Sequence, residues 1–161
     1  AQDVESRIKK NPQIGLLGIN IGPNKESQNR LEDYLIGLRS FHKIADYITP
    51  QELESGSENS ELLVVGWGST FGAIKTVVKE LAMEGIDVAH THIKYIQPMP
   101  KNLGQILSNY DKILIPEMNN GQLIKLIRDK YLVDARPLNK IKGMPFEAQE
   151  IKSAILNMLN L

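Results

Sequence analysis

The residues with the clearest chemical potential form a glycine-rich turn at positions 66–72, between an apolar run and a helical pattern. Glycine permits positive φ or close backbone approach, and a hydroxyl side chain can cap the following helix. Such a turn can bind a phosphate, because amide donors and the helix dipole converge at a helix N-terminus. The residues that give the turn these properties are Gly66, Gly68, Gly72, Ser69 and Thr70.

The turn lacks the residues of the known phosphate-binding loops. It contains no Lys or Arg, and Lys75 comes late on the helix. Gly-x-Ser also stands where a dinucleotide fingerprint requires Gly-x-x-Gly after its first Gly-x-Gly. We therefore favour a tight strand-to-helix turn over a phosphate site. Trp67, inside the turn, is either an anchor for a protein partner or a core residue, and both interpretations stay open.

Two histidines, His90 and His92, alternate along a predicted strand and therefore point to the same face. This spacing is compatible with metal binding, but no third ligand can be assigned and cysteines are absent. We expect no metal site here. One of the histidines is expected to make a hydrogen bond instead.

Glu117 ends a predicted strand and is followed closely by Asn119. A carboxylate there could act as an acid or base, or could orient a backbone amide. Catalysis needs a second titrating group and a substrate pocket, and the sequence shows neither, so we assign no catalytic residue. We expect a structural and partner-contact role for four residues of this loop: Glu117, Asn119, Gly121 and Gln122.

Two further loops are candidate contact sites. Residues 96–100 contain Pro98 and Pro100, which fix φ and predict a stiff connector presented to a neighbouring protein. Residues 140–143 carry two lysines that could meet an acidic surface or a coenzyme A phosphate. A solvated loop is the default interpretation of that run.

These residues need a scaffold, and the hydrophobic pattern predicts an α/β fold. Strands alternate with helices after residue 62, which implies right-handed crossovers and a mostly parallel sheet in a three-layer α/β/α arrangement. Ligands and partners meet the carboxyl ends of the strands in such a sheet. The predicted strands are 62–65, 86–93, 112–116 and 135–141, and the predicted helices are 71–83, 102–109, 121–132 and 146–161.

The chain before residue 62 has a different pattern. Apolar residues at helical spacing predict a helix over residues 26–48, which Thr49 and Pro50 end. Residues 1–24 show only a glycine-interrupted apolar stretch. We divide the chain into an N-terminal arm with a connecting helix over 1–50, a polar flexible linker over 51–61 and a main domain over 62–161.

Composition excludes several classes of function. The 161 residues are 42% hydrophobic and 24% charged, and 19 basic residues balance 19 acidic ones, so no global field attracts nucleic acid or anionic membranes. Without cysteine, this chain cannot form disulfides or ligate Fe–S clusters through thiolates. No apolar run approaches the roughly 20 residues of a membrane span, and no signal peptide is present, so we expect a cytoplasmic protein. The absence of an initial Met suggests a piece of a longer polypeptide.

Five blocks, in order, resemble the alpha subunit of 2-oxoacid:ferredoxin oxidoreductases, with the 2-oxoglutarate branch as the best fit. The blocks are VVGWGSTFGAI at 64–74, HIKYIQPMP at 92–100, IPEMNNGQL at 115–123, YLV at 131–133 and NKIKGMPF at 139–146. The resemblance covers about residues 61–155. The predicted helix before residue 48 is a looser match, and residues 1–24 depart from the family.

The resemblance implies a fold like the C-terminal domain of transketolase, within an enzyme that decarboxylates a 2-oxo acid on thiamine diphosphate and forms an acyl-coenzyme A. Electrons would pass through Fe–S clusters to ferredoxin. It implies that thiamine diphosphate, magnesium and the Fe–S clusters lie elsewhere in the complex, and that the partners are the remainder of the alpha subunit and the beta subunit. His92, within a matching block, becomes the better hydrogen-bonding histidine.

We therefore expect this chain to support assembly and the active-site domain, without carrying the chemistry itself. One alternative is a coenzyme A- or nucleotide-binding module that uses the turn at 66–72. Another is a non-enzymatic scaffold whose N-terminal arm pairs two copies.

Overall fold

Strands and helices alternate along the part of the chain that the structure, a computed structural model, describes, namely Leu35 and residues 44–161. The strands are β1 (Leu53–Ser55), β2 (Leu62–Trp67), β3 (Ala89–Ile93), β4 (Lys112–Glu117) and β5 (Ala135–Asn139). The helices are α1 (Phe71–Met83), α2 (Leu103–Ser108), α3 (Gln122–Tyr131) and α4 (Ala148–Leu159). A short 3-10 turn, Gly68–Thr70, joins β2 to α1.

The strands form one sheet in the order β1-β3-β2-β4-β5. The central strand β2 runs parallel to β3 and β4, and β4 runs parallel to β5. The predicted α/β fold with a mostly parallel sheet is confirmed. Of the strands in the described residues, only β1 is antiparallel to its neighbour, β3.

The side chains of β2 point alternately to the two faces of the sheet, and the core therefore has two layers. Leu63 and Val65 belong to a cluster that includes buried residues of α2 and α3. Leu62 and Val64 belong to a second cluster, with buried residues of α1 and α4. Because successive side chains of a strand point to opposite faces, helices cover both faces of the sheet.

The predicted element bounds agree closely with the structure, and the differences have local causes. Helix α1 has the predicted bounds. Strand β3 begins later than predicted because Ile86 belongs to the turn that ends α1, where its N–H donates to the Leu81 carbonyl. Helix α4 begins later because Glu147 and Glu150 form a capping box at Glu147.

The linker predicted over residues 51–61 is wrong, because this segment is built into the sheet domain. Strand β1 lies within it, and the compact unit that contains the sheet begins at Thr49. The Gln51 N–H donates to Asn102 Oδ1, and Asn102 Nδ2 donates to the Gln51 carbonyl, both at 2.8 Å. Ser60 Oγ donates to Asp87 Oδ2 at 2.8 Å. Polar residues that suggest a solvated linker are here hydrogen-bond partners of neighbouring elements.

The predictions for residues 1–24 and for most of the helix at 26–48 lie outside the described residues. The chain also divides into two units, Ala1–Ile48 and Thr49–Leu161. No helix in the described part of the chain has the length and apolar character needed to cross a bilayer.

Candidate functional site

The loops that follow the four parallel strands lie at one edge of the sheet, because the carboxyl ends of parallel strands share an edge. We call this edge the carboxyl rim. Two of its loops, after β2 and after β4, meet at a groove of about 280 Å³. The groove brings together four predicted site residues and two others: Trp67, Gly68, Ser69 and Asn119, with Thr70 and Met118.

The first loop of the groove is held by Thr70. Its hydroxyl donates to the Trp67 carbonyl at 2.8 Å and accepts from the Trp67 N–H at 3.2 Å. This side chain therefore closes the turn on itself and makes no cap for α1, and Ser69 makes none either. The prediction that Ser69 or Thr70 caps α1 is wrong. Ser69 Oγ instead donates to Met118 Sδ at 3.3 Å, across the groove.

The structure requires glycine at only some positions of this loop. A Cβ at Gly66 would lie 2.6 Å from both His92 Nδ1 and Ile74 Cδ1, so a side chain cannot be accommodated without movement. Gly68 has φ +57°, in the left-handed region that favours glycine. A Cβ at Gly72 would meet nothing within 4 Å. Gly66 and Gly68 thus shape the turn, whereas nothing in the structure requires glycine at position 72.

The two histidines share a face of β3, as predicted, and pack around the first residue of α1. The Phe71 ring lies 4.9 Å from His92 and 5.7 Å from His90, and the two imidazoles are 5.8 Å apart. His90 is fully buried, and neither of its ring nitrogens has a hydrogen-bond partner. His92 is also buried and forms a hydrogen bond with the Gly68 backbone.

Burial keeps both imidazoles neutral. The pKa of His90 is lowered to about 4, mainly by desolvation, with smaller contributions in the same direction from the neighbouring His92 and Lys75. Desolvation also lowers the pKa of His92, although its hydrogen bond with Gly68 and the charge of Glu54 oppose the shift. Neither histidine is therefore placed to accept a proton from a ligand at an exposed surface. His92 lines a separate cavity of about 200 Å³ beside β1, with Glu54, Lys94 and Tyr95 among its neighbours.

Glu117 is fully buried at the end of β4 and caps helix α3. Its Oε2 accepts from the Leu123 N–H at 2.7 Å, and its Oε1 accepts from the Ile124 N–H at 2.9 Å. A carboxylate at a helix N-terminus is favoured both by these bonds and by the helix dipole. Both oxygens of the Glu117 carboxylate therefore bind the amino end of α3.

The neighbouring loop residues complete this cap. Asn119 Oδ1 accepts from the Gln122 N–H at 2.9 Å. Gly121 has φ +75°, which lets the chain turn into α3. Three successive amides at this helix end, those of residues 122–124, therefore have side-chain acceptors from the chain itself. These amides of α3 are therefore not available to bind an anion.

The proline connector is partly packed into the domain. Met99 is buried in the cluster with α2 and α3, and Pro100 is buried as well. Pro98, which follows a cis peptide bond, is half-buried and does not line the groove. The connector is thus separate from the groove, although the sequence predicts contact with a partner protein for both.

Two of the groups that the resemblance implies, an Fe–S cluster and a metal ion, can be compared with the side chains present here. With no cysteine, the chain supplies no thiolate to an Fe–S cluster. Within residues 44–161, no three His, Cys, Asp or Glu side chains converge where a metal ion could bind.

Sequence reasoning missed two members of the rim. Met118 follows Glu117 and lines the groove, but a methionine beside a strand is more often a core residue. Phe71 packs against both histidines, and its position as the first residue of α1 gave no signal of that contact. Both contacts depend on how the elements pack, which single-residue patterns do not encode.

Sequence comparisons relate this chain to known oxidoreductases. Residues 60–153 match the family described as pyruvate:ferredoxin oxidoreductase core domain II. The 2-oxoglutarate oxidoreductase subunit KorA of Mycobacterium tuberculosis is 39% identical over 119 residues, which are 74% of this chain and 18% of that protein. A quinone-type dihydroorotate dehydrogenase of Rhizobium etli is 51% identical over a shorter stretch of 43 residues, 27% of this chain and 12% of that enzyme.

A solved structure shows the same fold. It is a 2-oxoglutarate:ferredoxin oxidoreductase from Magnetococcus marinus, with a TM-score of 0.72 and 22% identity, covering 90% of this chain and 25% of that one. The chain spans about a fifth of the length of the curated oxidoreductase subunits that it matches. The family match covers more than half of this chain and contains β2 to β5 with the first half of α4. The chain therefore belongs to the family of the pyruvate:ferredoxin oxidoreductase core domain II, in agreement with its predicted relationship to the alpha subunits of 2-oxoacid:ferredoxin oxidoreductases.

Proposed function

We propose that this chain is a domain of the alpha subunit of a thiamine diphosphate-dependent 2-oxoacid:ferredoxin oxidoreductase, with 2-oxoglutarate as the 2-oxo acid. In that complex it supports assembly and the active-site domain through its carboxyl rim. The observation that carries this proposal is the 39% identity to a 2-oxoglutarate oxidoreductase subunit over three quarters of the chain. The activity of the complex is acyl-coenzyme A formation coupled to ferredoxin reduction.

The chemistry of the rim supports docking over catalysis. The groove is lined by an indole, a thioether, small polar residues and one amide, with no titratable group among them. Glu117, next to the groove, is bound to α3, and the two histidines are buried and neutral. Tryptophan and methionine are enriched at protein interfaces.

The same proposal places the cofactors and partners. Thiamine diphosphate, magnesium and the Fe–S clusters belong to other parts of the complex. The direct partners are the remainder of the alpha subunit and the beta subunit, ferredoxin is reached through the complex, and no nucleic acid or membrane takes part. We place the complex in the cytoplasm. The contact residues on this chain are Gly66, Trp67, Gly68, Ser69, Gly72, His92, Pro98, Glu117, Asn119, Gly121 and Gln122, with the buried ones acting by shaping the exposed loops.

A charge placed in the groove tests this proposal. Ser69 is exposed, and its side chain contacts Met118 across the groove, so Ser69→Arg fills the groove and leaves the core intact. In the full-length alpha subunit co-expressed with its beta subunit, we expect at least a tenfold weaker assembly, or about 1.4 kcal/mol. The melting temperature of the 161-residue chain should stay within about 2 °C of the unchanged chain.

Met83→Arg is the matched control, because Met83 is 74% exposed at the far end of α1, the helix that follows the turn containing Ser69. It should leave both assembly and melting unchanged. Equal assembly for Ser69→Arg and Met83→Arg would contradict a docking role for the groove. Trp67→Ala adds a second test: it should weaken assembly more than it destabilises the chain, and equal losses would make Trp67 a core residue.

The alternative is a coenzyme A- or nucleotide-binding module that uses the turn at 66–72. One observation favours it, since α1 has no side-chain cap to occupy its first amides. The absence of a basic residue from the turn disfavours it. Calorimetric titration of the chain with coenzyme A or ADP separates the two proposals, because binding in the micromolar range would favour the module.

A further inference from the structure

A second element of the carboxyl rim, the loop at residues 140–146, exposes apolar side chains. Ile141 is 71% exposed and Met144 is 60% exposed, and Lys142 lies between them at the surface. Single exposed apolar residues are ordinary on proteins, whereas two large ones on one seven-residue loop are typical of a surface that a partner covers.

The loop is held in one shape at its base by Lys140. The ammonium donates to the Pro145 carbonyl at 2.9 Å and to Glu150 Oε2 at 2.6 Å, which joins the start of the loop to its end and to α4. It also lies 5.7 Å from the centre of the Phe146 ring, and its side chain is only 10% exposed. A loop that is already ordered loses less conformational entropy when a partner binds.

The loop is also continuous with the groove. The Lys140 N–H donates to the Glu117 carbonyl at 2.9 Å. The next residue after Glu117 is Met118, which lines the groove. The thioethers of Met118 and Met144 and the side chain of Ile141 therefore belong to neighbouring loops of the same rim.

We propose that the 140–146 loop docks into the remainder of the alpha subunit, in an apolar recess with a carboxylate placed to meet Lys142. This inference rests on the proposed function. Four fifths of the M. tuberculosis relative lies outside the part that matches this chain, so a covering segment of ample size exists in such subunits. Lys140 is paired with Glu150, and Lys142, whose charge also acts on Glu150, is the exposed cation at the loop tip.

The test compares the full-length alpha subunit with the 161-residue chain. The double variant Ile141→Glu/Met144→Glu should lower the melting temperature of the full-length subunit by about 4 °C or more and increase its binding of a hydrophobic dye. The melting temperature of the 161-residue chain should not change, because both side chains face solvent in it. Lys142→Glu should lower the melting temperature of the full-length subunit by less, and only at low salt.

Leu132→Glu is the matched control, since Leu132 is 88% exposed at the opposite edge of the sheet, beyond α3. It should leave both proteins unchanged. An unchanged full-length subunit with the double variant would overturn the docking of this loop, even if Ser69→Arg still prevents assembly. Failure of Ser69→Arg to affect assembly would count against the proposed function instead. Coenzyme A binding that is lost with Lys142→Glu would also overturn the inference.

Discussion

Replacing Glu117 separates a structural carboxylate from a catalytic one. The side chain is fully buried and accepts two amide hydrogen bonds, of 2.7 and 2.9 Å, at the start of α3. Glu117→Gln keeps one acceptor and turns an NH₂ group toward the other amide. One bond to a charged acceptor, worth about 1.5–3 kcal/mol, is then lost and a buried N–H is left without a partner.

We therefore expect Glu117→Gln to reduce the free energy of unfolding by about 2–4 kcal/mol. Asn119→Ala is the matched control, because Asn119 caps the same helix end from a partly exposed position. It should cost about 1 kcal/mol. Urea denaturation followed by circular dichroism measures both changes at constant pH.

Two results would refute this reasoning. A loss below about 1 kcal/mol for Glu117→Gln would mean that the two hydrogen bonds do not hold α3. An intact free energy of unfolding combined with loss of activity in the assembled enzyme would make Glu117 a catalytic group.

Two other predictions concern the region below the groove. The pKa of His90 is about 4 in the folded chain and near 6.5 in the unfolded chain, so protonation favours unfolding. The free energy of unfolding should therefore have its maximal value above pH 6.5 and fall by roughly 2–3 kcal/mol by pH 4.5. His90→Leu should remove most of that decline in urea titrations at pH 7.5 and 4.5, and a decline of the same size in the variant would argue against a buried neutral His90. Gly66→Ala should cost about 1–3 kcal/mol, because its Cβ would lie 2.6 Å from Ile74 Cδ1 and His92 Nδ1; the Gly72→Ala control should be nearly neutral, and equal losses would contradict the close packing at Gly66.

Periodicity explains why most of the fold could be predicted. Residues 62–65 form an unbroken apolar run, as a strand covered on both faces requires, and α1 repeats its buried residues at helical spacing. Strand β1 gave no such signal. Only Leu53 in it is apolar, and its pairing with β3 depends on main-chain groups that side-chain patterns do not report.

The sequence could predict that two loops of the candidate site meet, but not the contacts that their residues make. The glycine turn and the loop at 117–122 do meet at one groove, because both follow parallel strands. The Thr70 hydroxyl turns back to Trp67, and the Glu117 carboxylate reaches forward to α3. Both choices depend on local competition between hydrogen-bond partners, which residue type alone does not decide.

The most direct test of a docking rim is amide hydrogen exchange in the 161-residue sequence, compared between the chain alone and the assembled alpha and beta subunits. The account predicts slower exchange on assembly for residues 67–69, 118–122 and 140–146, with little change around Met83 and Leu132. Unchanged exchange at the rim, with slowing confined to the cavity between β1 and α2 that Gln51 and Tyr110 line, would contradict it.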